Sequence, residues 1–165
     1  MAKTYHDRES IHQLVERNKN NIYRLAILYC KNSADADDIF QEVFYRYCKT
    51  LPEFSSFEHE KAWFIRVTLN CCKNFVRSAW FRKTTALEED LIQPESEEYE
   101  LYEYLLKLPA NYRTVIYLHY YQGYRLVEIA EMMGKKPSSI RTTLQRAKQK
   151  LKEEMVKEGL VWNQN

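Results

Sequence analysis

The chain has 165 residues with a formal net charge of only +2, and 45% of them are hydrophobic, whereas glycine and proline number three and four. This composition is enough for one domain or two small ones, and it favours helices with short connections over sheets and hairpins. Because we find neither a signal peptide nor an apolar run long enough to span a bilayer, we expect a cytoplasmic protein without membrane contact of its own.

Two helices are predicted at the start of the chain. Apolar periodicity indicates the first over residues 7–31, and Ser33 is placed to cap the second. Acids at the start of the second helix are favoured by the positive end of its dipole. Glu42 lies beyond the first turn, so the dipole does not explain an acid at that position. We therefore predict a partner-binding surface here, called the acidic face, which consists of Asp38, Gln41 and Glu42.

A loop with two aromatic residues precedes the third predicted helix, which runs over about residues 58–82. Ser55 and Glu58 have the spacing of a capping box for that helix. The helix is rich in bulky apolar residues, and one polar row interrupts them in steps of four, three and four. The row is either the solvent side of a core helix or a nucleic-acid surface, and its three cations beside aromatic residues favour the second. We call it the basic stripe: Arg66, Asn70, Lys73 and Arg77.

An acidic segment follows the third helix. Residues 84–104 carry eight acids and no bases, and we expect 84–97, with Pro94, to be a flexible linker. Two interpretations stay open: the acids keep a tether soluble and extended, or they compete with DNA for the neighbouring basic segments. Basic segments on both sides predict two polyanion-binding modules.

The second half of the chain predicts a helix-turn-helix. A short helix over Glu98 to Lys107 is followed by one that starts at Pro109 and ends at Gly123. From residue 124 onward, Gly134 suits the left-handed turn between two helices, and the second of these carries an apolar row. That row consists of Ile140, Leu144, Ala147 and Leu151.

The last predicted helix is strongly basic, with seven Lys or Arg and no acid between Lys135 and Lys152. The alternative is a solvated charged helix on a small bundle. The spacing of the apolar residues, the glycine turn and the excess of positive charge all favour, over that alternative, a helix that lies in a DNA major groove. We expect Arg141, Thr142 and Gln145 to face bases, and Arg146 or Lys148 to face phosphates. The residues predicted to contact DNA, together called the reading face, are Ser138, Ser139, Arg141, Thr142, Gln145, Arg146 and Lys148.

The cysteines and histidines predict no metal site. None of the four cysteines is in a C-x-x-C pair, and each falls inside a predicted helix, so we expect buried free thiols. The four histidines are scattered and form no ligand pattern. We expect no cofactor and no metal.

Several short motifs occur in an order that resembles the extracytoplasmic function (ECF) sigma factors, the minimal two-domain form of the sigma-70 family. The resemblance spans about residues 10 to 155. Two departures stand out: Thr143 occupies a position that is usually Arg, and the helix starting near Arg125 lacks a Ser or Thr cap, so we expect its first turn to fray. The motifs are ADADDIFQEVF at 34–44, KAWFIRVTLN at 61–70, LPANYR at 108–113, EIA at 128–130 and SIRTTLQRA at 139–147.

The resemblance implies an all-α protein of two small helical domains. It implies a sigma region 2 over 1–83, a linker over 84–97, a region 4 helix-turn-helix over 98–157 and a tail over 158–165. Region 2 binds core RNA polymerase and melts the downstream promoter element, and region 4 reads the upstream element. An anti-sigma protein is an expected further partner.

The resemblance also assigns roles to the predicted surfaces. The acidic face docks on the clamp helices of the largest polymerase subunit. The loop before the third helix captures a base flipped from the promoter, and the basic stripe holds neighbouring phosphates and bases. Together, the residues expected at the downstream element are Phe54, Ser55, Ser56, Phe57, Lys61, Trp63, Arg66, Asn70, Lys73 and Arg77.

Two other classes of function are weighed against a sigma factor. A repressor or activator that binds DNA alone uses a helix-turn-helix too, but we see no heptad dimerisation helix and no need for a separate aromatic and basic first domain. An enzyme is disfavoured, because no nucleophile–base pair, metal-ligand cluster or phosphate-binding glycine loop is visible.

Overall fold

The computed structural model describes residues 8–79 and 98–159. The linker predicted over 84–97, the expected end of the third helix beyond Ala79 and residues 160–165 of the tail lie outside the described residues. Within this part of the chain no helix is long and apolar enough to cross a membrane. The helices are α1 Arg8–Cys30, α2 Ser33–Thr50, α3 Phe57–Ala79, α4 Glu98–Leu106, α5 Ala110–Ile116 with a π-helical turn at Tyr117–Tyr121, α6 Leu126–Met133 and α7 Pro137–Lys157.

The first bundle consists of α1, α2 and α3. Each helix buries the apolar side that its sequence periodicity predicted, and most of these side chains are fully excluded from solvent. A buried carboxylate joins α1 to α3: Glu60 accepts from Arg17 Nη2 at 3.0 Å and from Asn18 Nδ2 at 2.7 Å. The bundle's core includes Leu14, Ile22, Ala26, Ile39, Val43, Tyr47 and Phe64.

The second bundle consists of α4 to α7. The apolar row of α7 is buried against α5 and α6, as its four-three-four spacing predicted. This core continues across to the first bundle, because Leu25 and Leu28 of α1 and Ile65 and Leu69 of α3 belong to the same buried cluster. The two modules expected on a linker are therefore packed against each other. The second bundle contributes Leu105, Leu108, Val115, Ile116, Leu118, Ile129, Ile140, Leu144, Ala147 and Leu151.

Helix starts differ from the predicted ones by one residue. Asn32, not Ser33, caps α2, and its side chain accepts from the Asp35 backbone N–H at 2.8 Å. Ser56, not Ser55, caps α3, because its Oγ accepts from the His59 backbone N–H at 3.0 Å. In both helices the capping side chain belongs to the residue three positions before the backbone N–H from which it accepts. Asn32 and Ser56 occupy that position, whereas Ser33 and Ser55 are each one residue away from it.

Other expectations were also wrong in detail. Pro109 precedes α5 instead of starting it. Glu128 holds the first turn of α6 although a Ser or Thr cap is missing, because it accepts from the Arg125 backbone N–H at 2.8 Å, which is the half of a capping box that Glu supplies. Tyr120 lies four residues after the buried Ile116, a spacing that predicts an inward position, but it is 54% exposed, since the π-helical turn rotates the end of α5. Cys48 is exposed, whereas Cys71 and Cys72 are buried; all four cysteines are free.

The turn between α6 and α7 depends on Gly134. Its φ of 64° is left-handed, and Lys135 N–H donates to the Ala130 carbonyl at 2.9 Å to close the helix. We expect Gly134→Ala to lower the free energy of unfolding by about 1–2 kcal/mol, because a Cβ is strained in this conformation. Gly134→Asn should lose less, since Asn tolerates the left-handed region. Urea denaturation checks both variants, and a native midpoint for Gly134→Ala would contradict the expectation.

Candidate nucleic-acid interface

The reading face lies on the solvent side of α7. Its seven residues are all exposed, while Ile140, Leu144, Ala147 and Leu151 hold the opposite side in the core. Pro137 starts the helix, so its first two turns carry Ser138, Ser139 and Arg141 outward from the turn at Gly134. The arrangement matches a helix whose first turns approach base edges.

Two threonines of α7 differ in what they offer to DNA. Thr142 is exposed and donates to the Ser138 carbonyl at 3.1 Å, which leaves its methyl group and hydroxyl lone pairs outward. Thr143 is half-buried and donates to the Ser139 carbonyl at 2.8 Å. The position that is usually Arg in the resembled family therefore presents no cation. Further along, the Lys148 ammonium lies 5.4 Å from the centre of the Tyr120 ring, which orients it by a cation–π contact.

The basic stripe on α3 is contacted by the second bundle at two of its four residues. Arg66, Asn70 and Arg77 are exposed, but Lys73 is half-buried. Arg66 Nη2 lies 3.2 Å from Glu131 Oε1, and Lys73 Nζ donates to the Met133 carbonyl at 2.9 Å. Burial lowers the pKa of Lys73, and the charges of Lys135 and Arg77 lower it further.

The loop before α3 contains two aromatic residues in different environments. Phe54 is half-buried and packs edge-on against Trp63, with ring centres 5.8 Å apart. Phe57 is 72% exposed, and the Arg17 guanidinium lies 4.9 Å from its ring centre. Ser55 and Ser56 are exposed and both bond His59, which fixes the loop at the start of α3. The loop thus offers one exposed aromatic ring and two exposed serines.

A cleft of about 570 Å³ separates the first turns of α3 from α6 and the turn before it. Lys61, Trp63 and Arg66 line one wall, so three of the predicted downstream-element residues meet here. The Lys61 ammonium lies 5.6 Å from the centre of the Tyr124 ring on the opposite wall. Acids from both bundles also line the cleft, namely Glu58, Glu128 and Glu131.

The acidic face lies on the exposed side of α2, away from the residues that pack against α1 and α3. Asp38, Gln41 and Glu42 are all exposed. Glu42 Oε1 accepts from Arg46 Nε at 2.8 Å, and this bond raises the pKa of Arg46. Glu42 therefore has one partner on its own helix and still presents its second oxygen to solvent.

Arg113 was not predicted as a functional residue, yet it joins the two bundles. It is only 3% exposed, and its guanidinium donates to the carbonyls of Leu28 and Tyr29 in the last turn of α1 and of Leu108 before α5. Burial lowers its pKa to about 10, so the group stays protonated at neutral pH. The LPANYR motif that contains it was noted in the sequence, but its partners belong to a distant helix.

Both halves of the chain match known sigma families. Residues 14–82 match sigma-70 region 2, and residues 98–151 match sigma-70 region 4. These ranges fall inside the predicted domains, whose limits stay a prediction. RNA polymerase sigma factor SigV of Bacillus subtilis (strain 168) is 30% identical over 149 residues, which cover 86% of this chain and 89% of the relative.

Other relatives agree in length and fold. The ECF RNA polymerase sigma factor SigM of B. subtilis (strain 168) is 27% identical over 157 residues, which cover 87% of this chain and 93% of the relative. Among solved structures, RpoE of Bartonella quintana in complex with the anti-sigma factor NepR has a TM-score of 0.70 at 18% identity, covering 90% of this chain and 98% of that one. CnrH in complex with the cytosolic domain of CnrY has a TM-score of 0.62 at 23% identity, covering 91% and 90%. At these identities the two structures show a shared fold.

Proposed function

Because the chain belongs to the ECF branch of the sigma-70 family, it is an RNA polymerase sigma factor that initiates transcription, and we propose that α3 and α7 divide its promoter recognition between them. A sigma factor binds core RNA polymerase and promoter DNA. The observation that carries the proposal is the two-sided character of α7, which buries its apolar row and exposes all seven residues of the reading face.

We propose that α7 reads the upstream promoter element in the major groove. Arg141, Thr142 and Gln145 lie on exposed turns near the start of the helix and supply the donors and acceptors that base edges require. Arg146 and Lys148, further along, are suited to phosphates, and the Lys148 ammonium lies over the Tyr120 ring. Thr143 is half-buried, so we assign it no contact with a base.

The downstream element is assigned to the basic stripe and the loop before α3. Extruding a base costs a few kcal/mol in lost stacking, which an aromatic surface and hydrogen bonds can offset. Phe57 supplies an exposed ring, and Ser55 and Ser56 supply hydroxyls beside it. The remaining residues in this proposal, which hold the adjacent strand and its phosphates, are Phe54, Lys61, Trp63, Arg66, Asn70, Lys73 and Arg77.

The acidic face is proposed as the surface that docks on the clamp helices of polymerase. Its three residues are exposed together on α2, and the second carboxylate oxygen of Glu42 is available to a basic partner. Since core polymerase is cytoplasmic, we propose the same location for this chain. Its relatives are regulatory proteins, and we propose that this chain has no catalytic activity of its own. An anti-sigma partner is proposed because two structures of the same fold are complexes with such regulators or their cytosolic domains.

Run-off transcription tests whether the chain directs core polymerase to promoters, which the proposed roles of α3 and α7 require. Core polymerase, the full chain and a library of genomic fragments should give transcripts with defined start sites that are absent without the chain. A chain that adds no start site to core polymerase would contradict the proposal.

Arg141→Ala should relax the preference at one position of the upstream element, at a cost of about 1–3 kcal/mol for the preferred base. The reason is that a base-reading contact distinguishes one base pair, whereas a phosphate contact distinguishes none. Transcription from promoters with a randomised upstream element measures the preference.

Lys148→Ala is the matched control, because it removes a cation of the same helix that is assigned to phosphate. It should weaken all promoters alike. An unaltered base preference for the Arg141 variant would show that this register of α7 is wrong.

A further inference from the structure

An exposed aromatic ring stands at the start of α3, next to the loop that is assigned to the extruded base. Phe57 is the first residue of the helix and is 72% exposed. Exposure alone gives it no role, since single hydrophobic residues are common on protein surfaces. The contacts of the ring are more specific.

A guanidinium from another helix lies against this ring. The guanidinium carbon of Arg17, in α1, is 4.9 Å from the centre of the Phe57 ring, which is a cation–π distance. The cation one turn further along α3, Lys61, lies over the Tyr124 ring instead. Phe57 is therefore paired with a charge that α1 supplies.

The guanidinium is itself held by a buried carboxylate. Arg17 Nε donates to Glu60 Oε1 at 3.2 Å and Arg17 Nη2 donates to Glu60 Oε2 at 3.0 Å, so the ion pair is bidentate. The Glu60 side chain is only 8% exposed, and Asn18 Nδ2 donates to it at 2.7 Å. Glu60 follows Phe57 by about one helical turn, which brings the two side chains to the same side of α3. We call the connected carboxylate, guanidinium and ring the ring anchor: Glu60, Arg17 and Phe57.

A ring held in this way is a better stacking surface than a mobile one. A base that stacks on an unrestrained side chain must order that side chain, and the lost conformational freedom subtracts from the binding free energy. In the ring anchor the order is set when the bundle folds, because the guanidinium is bonded to a buried group. The positive charge beside the ring also favours a nucleic-acid strand.

We infer that Arg17 is a positioning residue for the melted strand: held by Glu60, it fixes the Phe57 ring as a preformed stacking surface for the extruded base. The inference rests on the proposed role of the loop before α3, and it adds a residue of α1 that the sequence patterns did not single out. The competing account is that Arg17 only joins α1 to α3 through Glu60. That structural role does not depend on which side chain stands at position 57, whereas positioning of the ring does.

A double-mutant cycle in the full chain separates the two roles. The neutral-pair variant combines Arg17→Gln with Glu60→Gln, so that no unpaired charge stays buried and the two amides can still bond each other. It is made in the native chain and in the Phe57→Leu chain. Permanganate reactivity of unpaired thymines measures opening of a promoter found by run-off transcription, with core polymerase present. Circular dichroism checks that each variant is folded.

We expect the neutral-pair variant to reduce promoter opening by about two- to fivefold when Phe57 is present. In the Phe57→Leu chain the same change should leave opening unaltered, because no ring remains to be positioned. The matched control combines Glu16→Gln with Lys19→Gln, which neutralises another ion pair of α1, at 2.8 Å. It should open promoters as well as the native chain.

Two results would overturn the inference alone. One is an equal loss of opening in the native and Phe57→Leu chains, which would leave Arg17 as a link between helices. The other is native opening by the neutral-pair variant when Phe57 is present. If Phe57→Leu by itself opens promoters at the native level, the proposed role of the ring fails, and the inference fails with it. Should the neutral-pair variant not fold, Arg17→Lys decides by the same comparison, because lysine keeps the ion pair but lacks the two-nitrogen fork.

Discussion

Replacing Arg66, Asn70 and Lys73 together with Ala should nearly abolish promoter opening by the polymerase complex while leaving upstream binding intact. The variant removes two cations and one amide from the surface assigned to the melted strand, and none of the three side chains is fully buried. Loss of two phosphate contacts should also reduce the slope of log affinity against log salt by roughly two. Permanganate reactivity of unpaired thymines measures opening, and a nuclease footprint over the upstream element measures occupancy.

The matched control removes two exposed cations from the other helices of the same bundle. Arg24→Ala in α1 and Lys49→Ala in α2 change the net charge equally but lie outside the basic stripe. This double variant should open promoters almost as well as the native chain. Permanganate reactivity of the triple variant equal to the native level, at equal upstream occupancy, would refute the role of α3.

Replacing Gln41 and Glu42 together with Ala should weaken binding of core polymerase by about 2 kcal/mol or more, which is about 30-fold. The acidic face would lose its amide and the carboxylate that lies beyond the capping turn, and both side chains are exposed, so the bundle should stay folded. Titration of labelled chain with core polymerase measures the dissociation constant.

The ion pair between Glu42 and Arg46 provides the control for this experiment. Arg46→Gln breaks the same 2.8 Å pair but leaves the carboxylate in place. An exposed pair of this kind contributes little to stability, so this variant should bind polymerase as well as the native chain or better. Equal affinity for the Gln41 and Glu42 variant would place the docking surface elsewhere.

The sequence was sufficient for features that depend on local periodicity. The apolar row of α7 is buried as predicted, and Gly134 has the left-handed conformation that the helix-turn-helix required. The all-α class and the two sigma regions follow from the family that the motifs resemble, and they are confirmed. For the α7 row and the Gly134 turn, the residues that decide the outcome lie within a few helical turns of each other, whereas the family resemblance depends on motifs spread over residues 34–147.

Features that depend on distant partners were not predictable in this way. Arg113 is defined by carbonyls of α1 that lie more than eighty positions earlier in the chain. The partner of Lys73 is the backbone of Met133, which no side-chain pattern reveals. The exact capping residues were also predicted wrongly. Ser55 and Ser56 are adjacent serines, and the sequence does not show which of them immediately precedes the first turn of α3. The roles of the individual site residues stay predictions.

The most direct test of the division between α3 and α7 is a single transcription selection on promoters randomised at both elements. Core polymerase is supplied with the native chain, with Arg141→Ala or with Asn70→Ala, and the transcribed promoters are sequenced. We expect the Arg141 variant to change preference only in the upstream element and the Asn70 variant only in the downstream element. If both variants change the same element, or neither changes any preference, the division of promoter recognition between α3 and α7 is wrong.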